Sequence, residues 1–143
     1  MLTILPTIDV EGMHGRDPFN QMLLGKVSNG EFWGVYKIAK IFKEYGISAT
    51  FFVDVYEYSF FGEDKLKDVC NKLLEFDQDV QLHTHPSWRD DSCDFNVIRK
   101  MKKNNSFLSQ ELDFMAKLNL DQQIMVLSKG VDLIKSWTGE KPI

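Results

Sequence analysis

The sequence has no apolar run approaching the roughly 18 residues that a membrane span requires, since even residues 49–55 are broken by Asp54. It has only two cysteines, Cys70 and Cys93, with no CxxC spacing between them. That argues against a disulfide scaffold or a thiolate metal site and leaves both as buried or incidental thiols. Positive charge is not in excess: 17 basic residues face 21 acidic ones, for a net charge of −4. Phosphate backbones and anionic lipid surfaces are therefore poor partners. Met1 leads into a mixed apolar segment without a basic n-region, a long apolar stretch or a small-residue cleavage site. No signal peptide is expected, no membrane insertion, and a cytoplasmic location. What is present is 143 residues at 43% hydrophobic content, enough for the core of one domain.

Residues 2–9 are short and apolar, which suits a strand buried on both faces of a parallel sheet, although Pro6 counts against a regular ladder. Residues 10–30 hold four glycines and Pro18 and read as a long loop. Asn29 is placed to cap a helix starting near Glu31, with Val35, Ile38, Ala39 and Phe42 at helical spacing and Gly46 as its stop. Residues 47–56 are β-branched and aromatic, the composition of a central strand. Leu66, Val69, Cys70, Leu73 and Leu74 then mark a helix over 63–76, and residues 80–83 a third strand. Asn119 and Gln122 resemble a capping box ahead of a helix over 121–138, closed by Gly139. Strands alternating with helices predict an α/β fold with a parallel sheet. The pattern stops where a fourth strand is expected, so the chain reads as truncated.

Two motifs fall at the C-terminal ends of predicted strands, where the loops of α/β folds gather ligands. In Asp9-Val10-Glu11 the two carboxylates share a face if the strand persists, and so can reach one metal or one proton; strand-end acids are equally well solvated or engaged in capping a turn. In His83-Thr84-His85 the two imidazoles project to one side, as zinc ligands do, or form a surface pair. His14, the remaining histidine, lies just beyond the carboxylates as a neighbour of the site or a solvated bystander. Trp88 adjoins the histidines, where its face can stack on a sugar ring or fill a core; Trp33 and Trp137 are assigned to packing.

Thr-Ile-Asp-Val-Glu-Gly at 7–12, Gly-Ile-Ser-Ala-Thr-Phe-Phe-Val at 46–53 and Gln-Leu-His-Thr-His-Pro at 81–86 stand in an order that resembles the polysaccharide deacetylases of the NodB-homology family. The resemblance is to the branch with Asp-Val-Glu and His-x-His-Pro motifs associated with surface-polysaccharide and lipopolysaccharide biosynthesis. It implies the N-terminal part of a distorted (β/α)7-type barrel, with about three parallel strands alternating with helices. It also implies an acetylated sugar or polysaccharide as substrate and a divalent metal ion, zinc foremost, as cofactor. Asp9 falls at the family's general base and Val10 at its metal-binding Asp, which leaves Glu11 as the replacement carboxylate and Asp9 as base, ligand or both. His83 matches the first metal histidine, Ser87 takes the place of the second, and His85 is the substitute ligand. Trp88, His14 and Ser87 are the candidate substrate contacts.

The family's third motif follows a segment like Lys-Pro-Ile, which here is residues 141–143, so little activity is expected of this chain alone. Self-association through an uncovered sheet edge is also expected. Two other functions remain open: a non-catalytic sugar-binding or assembly module, and an unrelated metal-dependent amidohydrolase.

Overall fold

The computed structural model describes residues 3–12, 18–86 and 114–143. Three parallel strands form one sheet in the order β1-β2-β3: β1 Thr7–Val10, β2 Thr50–Asp54 and β3 Asp79–His83. Among the described residues four α-helices accompany them, namely α1 Val35–Glu44, α2 Tyr58–Phe61, α3 Glu63–Glu75 and α4 Leu120–Thr138. The expected α/β class with a parallel sheet is what the chain adopts. Among the described residues no helix is long and apolar enough to cross a membrane.

The register Val10↔Val53↔Leu82 and Asp9↔Phe52↔Gln81 sorts the strand residues onto two unlike faces. One carries Val10, Phe51, Val53 and Val80, all buried, and the helices pack on it. Phe42 of α1 meets Phe51 edge-on at 6.5 Å between ring centroids, and Gly130 lets α4 approach Leu82. Each large apolar side chain buried there stabilises the fold by about 1.5–3 kcal/mol. The opposite face carries Thr7, Asp9, Phe52, Gln81 and His83, none of them buried, and at its edge Asp54, which is buried. The expectation that β1 is buried on both faces is thus corrected: among the described residues helices cover one side, Thr7 and Asp9 are exposed, and Leu5, ahead of the strand, is 81% exposed.

Several boundaries also shift. α1 begins at Val35 rather than near Glu31, because Asn29 spends its side chain on the Glu31 N–H within a turn at 27–30. The turn belongs to a small hairpin in which Gly34 N–H donates to the Leu24 carbonyl at 2.9 Å and Trp33 N–H to that of Gly25. The loop read over 10–30 contains a π-helical turn, Pro18–Leu23, that buries Leu23 and places Phe19 against Phe61. Trp137 packs as expected, with its indole N–H on Glu63, whereas Trp33 does not: it stands 56% exposed, bonded to Glu31 and beneath the Lys37 ammonium. β2 ends at Asp54, not Tyr56, because the Asp54 carboxyl accepts the Tyr56 N–H and opens a 3-10 turn, Val55–Glu57. α4 has the reciprocal Asn119–Gln122 capping box and the left-handed Gly139 that its sequence predicts.

Two measurements check this packing. A Cβ added at Gly34 would stand 2.3 Å from the Leu23 carbonyl oxygen, so Gly34→Ala is expected to lower stability by about 1–3 kcal/mol in urea unfolding. An unchanged midpoint would show that the hairpin does not abut as described. Burial pushes the Cys70 thiol up to about 12, so at pH 8 it is expected to resist iodoacetamide until the chain is unfolded, as read by peptide mapping.

Candidate metal centre

β1 ends at Val10, whose side chain turns into the core, so the next residue, Glu11, emerges on the open face just past the last rung of the ladder. β3 ends at His83, register partner of Asp54, and one further extended step returns His85 to the same side. Parallel pairing through β2 therefore delivers a carboxylate and two imidazoles to one edge of the sheet. Their donor atoms form a tight triangle: Glu11 Oε2 lies 2.7 Å from His85 Nε2 and 3.3 Å from His83 Nε2, and the two Nε2 atoms are 3.0 Å apart. All three side chains are half-buried, and the imidazole rings stand at 72° to each other.

That geometry suits a cation. Ordinary hydrogen bonding gives two ring nitrogens little reason to face each other and a single carboxylate oxygen at once, since each neutral imidazole offers one N–H and one lone pair. Three donors converging on a point do have this shape. At zinc–ligand distances of about 2.0–2.1 Å in tetrahedral geometry, donor atoms stand about 3.3 Å apart, which one edge matches while the other two, at 3.0 and 2.7 Å, would open slightly around an ion. Among the described residues two histidines and one carboxylate supply three donors, one fewer than a tetrahedral ion takes. Glu11, His83 and His85 are thus a group that can hold a metal ion, and the half-burial of each donor keeps the site accessible.

Asp9 is not part of the triangle. It lies one pleat below Glu11 on the same open face, exposed and level with Phe52. Val10, between Asp9 and Glu11, is 3% exposed and points away from the site. His14, Ser87 and Trp88 lie outside the described residues.

Beneath the donors are two acids that the sequence reading passed over. Asp54 and Glu57 are both fully buried, at the end of β2 and in the turn after it. Both oxygens of Glu57 accept the Gly12 N–H at 2.9 Å. Asp54 Oδ1 accepts the Tyr56 N–H at 3.2 Å, while Oδ2 has no hydrogen-bond partner among the described residues. Burial, and then the neighbouring Glu57, hold the Asp54 carboxyl well above the usual carboxylate range, against the lowering pull of the Tyr56 and His85 amides. The available sequence signal was a pair of acids three residues apart in an otherwise apolar and aromatic stretch, Val53-Asp54-Val55-Tyr56-Glu57. Comparison with protein-family models, curated proteins and solved structures found no match to this chain.

The triangle sets a direct expectation. Protein purified without a histidine tag and dialysed against zinc should hold close to one ion per chain by elemental mass spectrometry, and His83→Ala or Glu11→Ala should lose it. Equal uptake by wild type and both variants would place the ion elsewhere.

Proposed function

We propose that the chain carries the metal-binding part of a hydrolytic active site that removes acetyl groups from N-acetylated sugars or polysaccharide precursors. The observation that carries this reading is the Glu11–His83–His85 triangle at the C-terminal edge of a parallel sheet, assembled from the last residue of β3 and the segments just after β1 and β3. The ordered motifs at 7–12, 46–53 and 81–86, which resemble those of the polysaccharide deacetylases, supply the substrate class. A sheet with helices on one face and polar side chains on the other supports the first strands of a (β/α) barrel, whose interior face is the one bearing Asp9, Phe52, Gln81 and His83.

In this proposal Glu11, His83 and His85 hold the ion, with zinc favoured by the donor set. A divalent ion there supplies Lewis acidity toward the acetyl carbonyl and makes water acidic enough to be deprotonated near neutral pH. Asp9 accepts the water proton. Its exposed carboxylate shares the open face with Glu11, and a base so placed contributes about 10²- to 10⁴-fold. Val10, turned into the core, leaves coordination to Glu11 and keeps Asp9 for proton transfer. Trp88, His14 and Ser87 are assigned to the sugar.

Acetate release from N-acetylglucosamine oligomers by the zinc-loaded protein tests this, with Asp9→Asn beside wild type. Release is expected to be slow, to require zinc, and to fall by about a hundred-fold or more in Asp9→Asn while zinc content is unchanged. Zinc bound at the triangle with no acetate released over background would instead favour a metal-containing binding module.

A further inference from the structure

Past Val10 the β1 ladder has no further rung, because the last pairing is Val10↔Val53 and β2 turns aside after Asp54. The peptide unit joining Glu11 to Gly12 therefore leaves the sheet without a strand to hold it. The turn that replaces the strand brings Glu57 to that point. Its carboxylate takes the Gly12 N–H with both oxygens at 2.9 Å, 45 residues away in sequence, and both residues are buried. We infer that Glu57 is a positioning residue for the metal centre, gripping the Gly12 amide and so fixing where the adjoining Glu11 carboxylate enters the donor triangle. The inference rests on the metal reading proposed above.

Three considerations carry it. Consecutive Cα atoms are about 3.8 Å apart across a rigid peptide plane, so fixing the direction of the Gly12 N–H fixes the carbonyl end of Glu11 as well. A hydrogen bond to a charged acceptor is roughly twice as strong as a neutral one, which suits it to hold an unpaired end of chain. Burying a carboxyl group costs several kcal/mol, and an apolar side chain would fill the same space more cheaply if packing were all that position 57 required.

The test measures zinc affinity by competition with a chromophoric chelator, and the metal-free melting midpoint, for the full chain as wild type, Glu57→Ala and Glu57→Gln. Loss of a residue that orients a ligand typically weakens metal binding by about 10- to 100-fold, and that loss is expected of Glu57→Ala. Glu57→Gln keeps a side-chain oxygen able to accept the Gly12 N–H and is expected to recover most of it. If Glu57→Ala does not fold, Glu57→Asp replaces it: the acceptor is withdrawn by one methylene with the charge retained, and the same loss is expected. Variants that melt earlier yet bind zinc as tightly as wild type when folded would overturn the inference and leave Glu57 a structural residue. Glu57→Gln binding as weakly as Glu57→Ala would overturn it in favour of a plain charge effect. Wild type that takes up no zinc would overturn the metal reading, and this inference with it.

Discussion

Parallel pairing of β2 with both of its neighbours is the constraint on which the rest of the structure depends. Two parallel partners force both flanking strands to end at the same edge of the sheet, and the in-step register, Val10↔Val53↔Leu82, leaves no offset between their exits. Glu11 and His83 therefore meet although neither belongs to the strand that unites them. The pleat then does the sorting. Side chains one residue out of phase, such as Val10 and Leu82, enter the helix-covered face, and those in phase with the donors enter the open one.

The same pleat explains what was legible beforehand. Spacing of i and i+2 on extended chain is a local property, so the Glu11 and His83–His85 signals were visible without a fold. So were the Asn119–Gln122 box and the Gly46 and Gly139 stops, each of which acts within one turn of chain. The missed features are tertiary. Nothing near Gly34 in sequence reveals that its Cα abuts the backbone of residues 23–25, so the later start of α1 could not be read. The exposure of β1 was equally hidden, because composition does not report which face helices will cover. Asp9 illustrates the boundary between the two kinds of information. The strand carries it one step back from the edge, and among the described acids Glu11 alone joins the histidines.

Two acids are buried at this edge, where ionisable side chains are rare. Asp54 and Glu57 sit where a parallel sheet gives way to loops, and amides there have lost their ladder partners. Asp54 takes the Tyr56 amide and starts the turn; that turn carries Glu57 to the Gly12 amide. One short segment thereby ends its own strand and also secures the exit of its neighbour. Tyr56 between them donates its hydroxyl to the Val126 carbonyl at 2.6 Å, which ties the segment to α4. A change at any of the three is felt across the whole edge, which is why the middle strand matters to a centre to which it contributes no donor.

The donor triangle also has a topological meaning. His85 and Glu11 touch at 2.7 Å across a separation of 74 residues, so the contact closes a ring that starts just past β1 and takes in β2, β3 and the helices α1 to α3. An ion gripped at that junction acts as a removable crosslink over most of the fold. Because such a ring has far fewer unfolded arrangements than the open chain, its closure and the folding of the sheet are one equilibrium. With an ion bound the triangle is a clasp on the fold, and chelation would loosen the architecture itself.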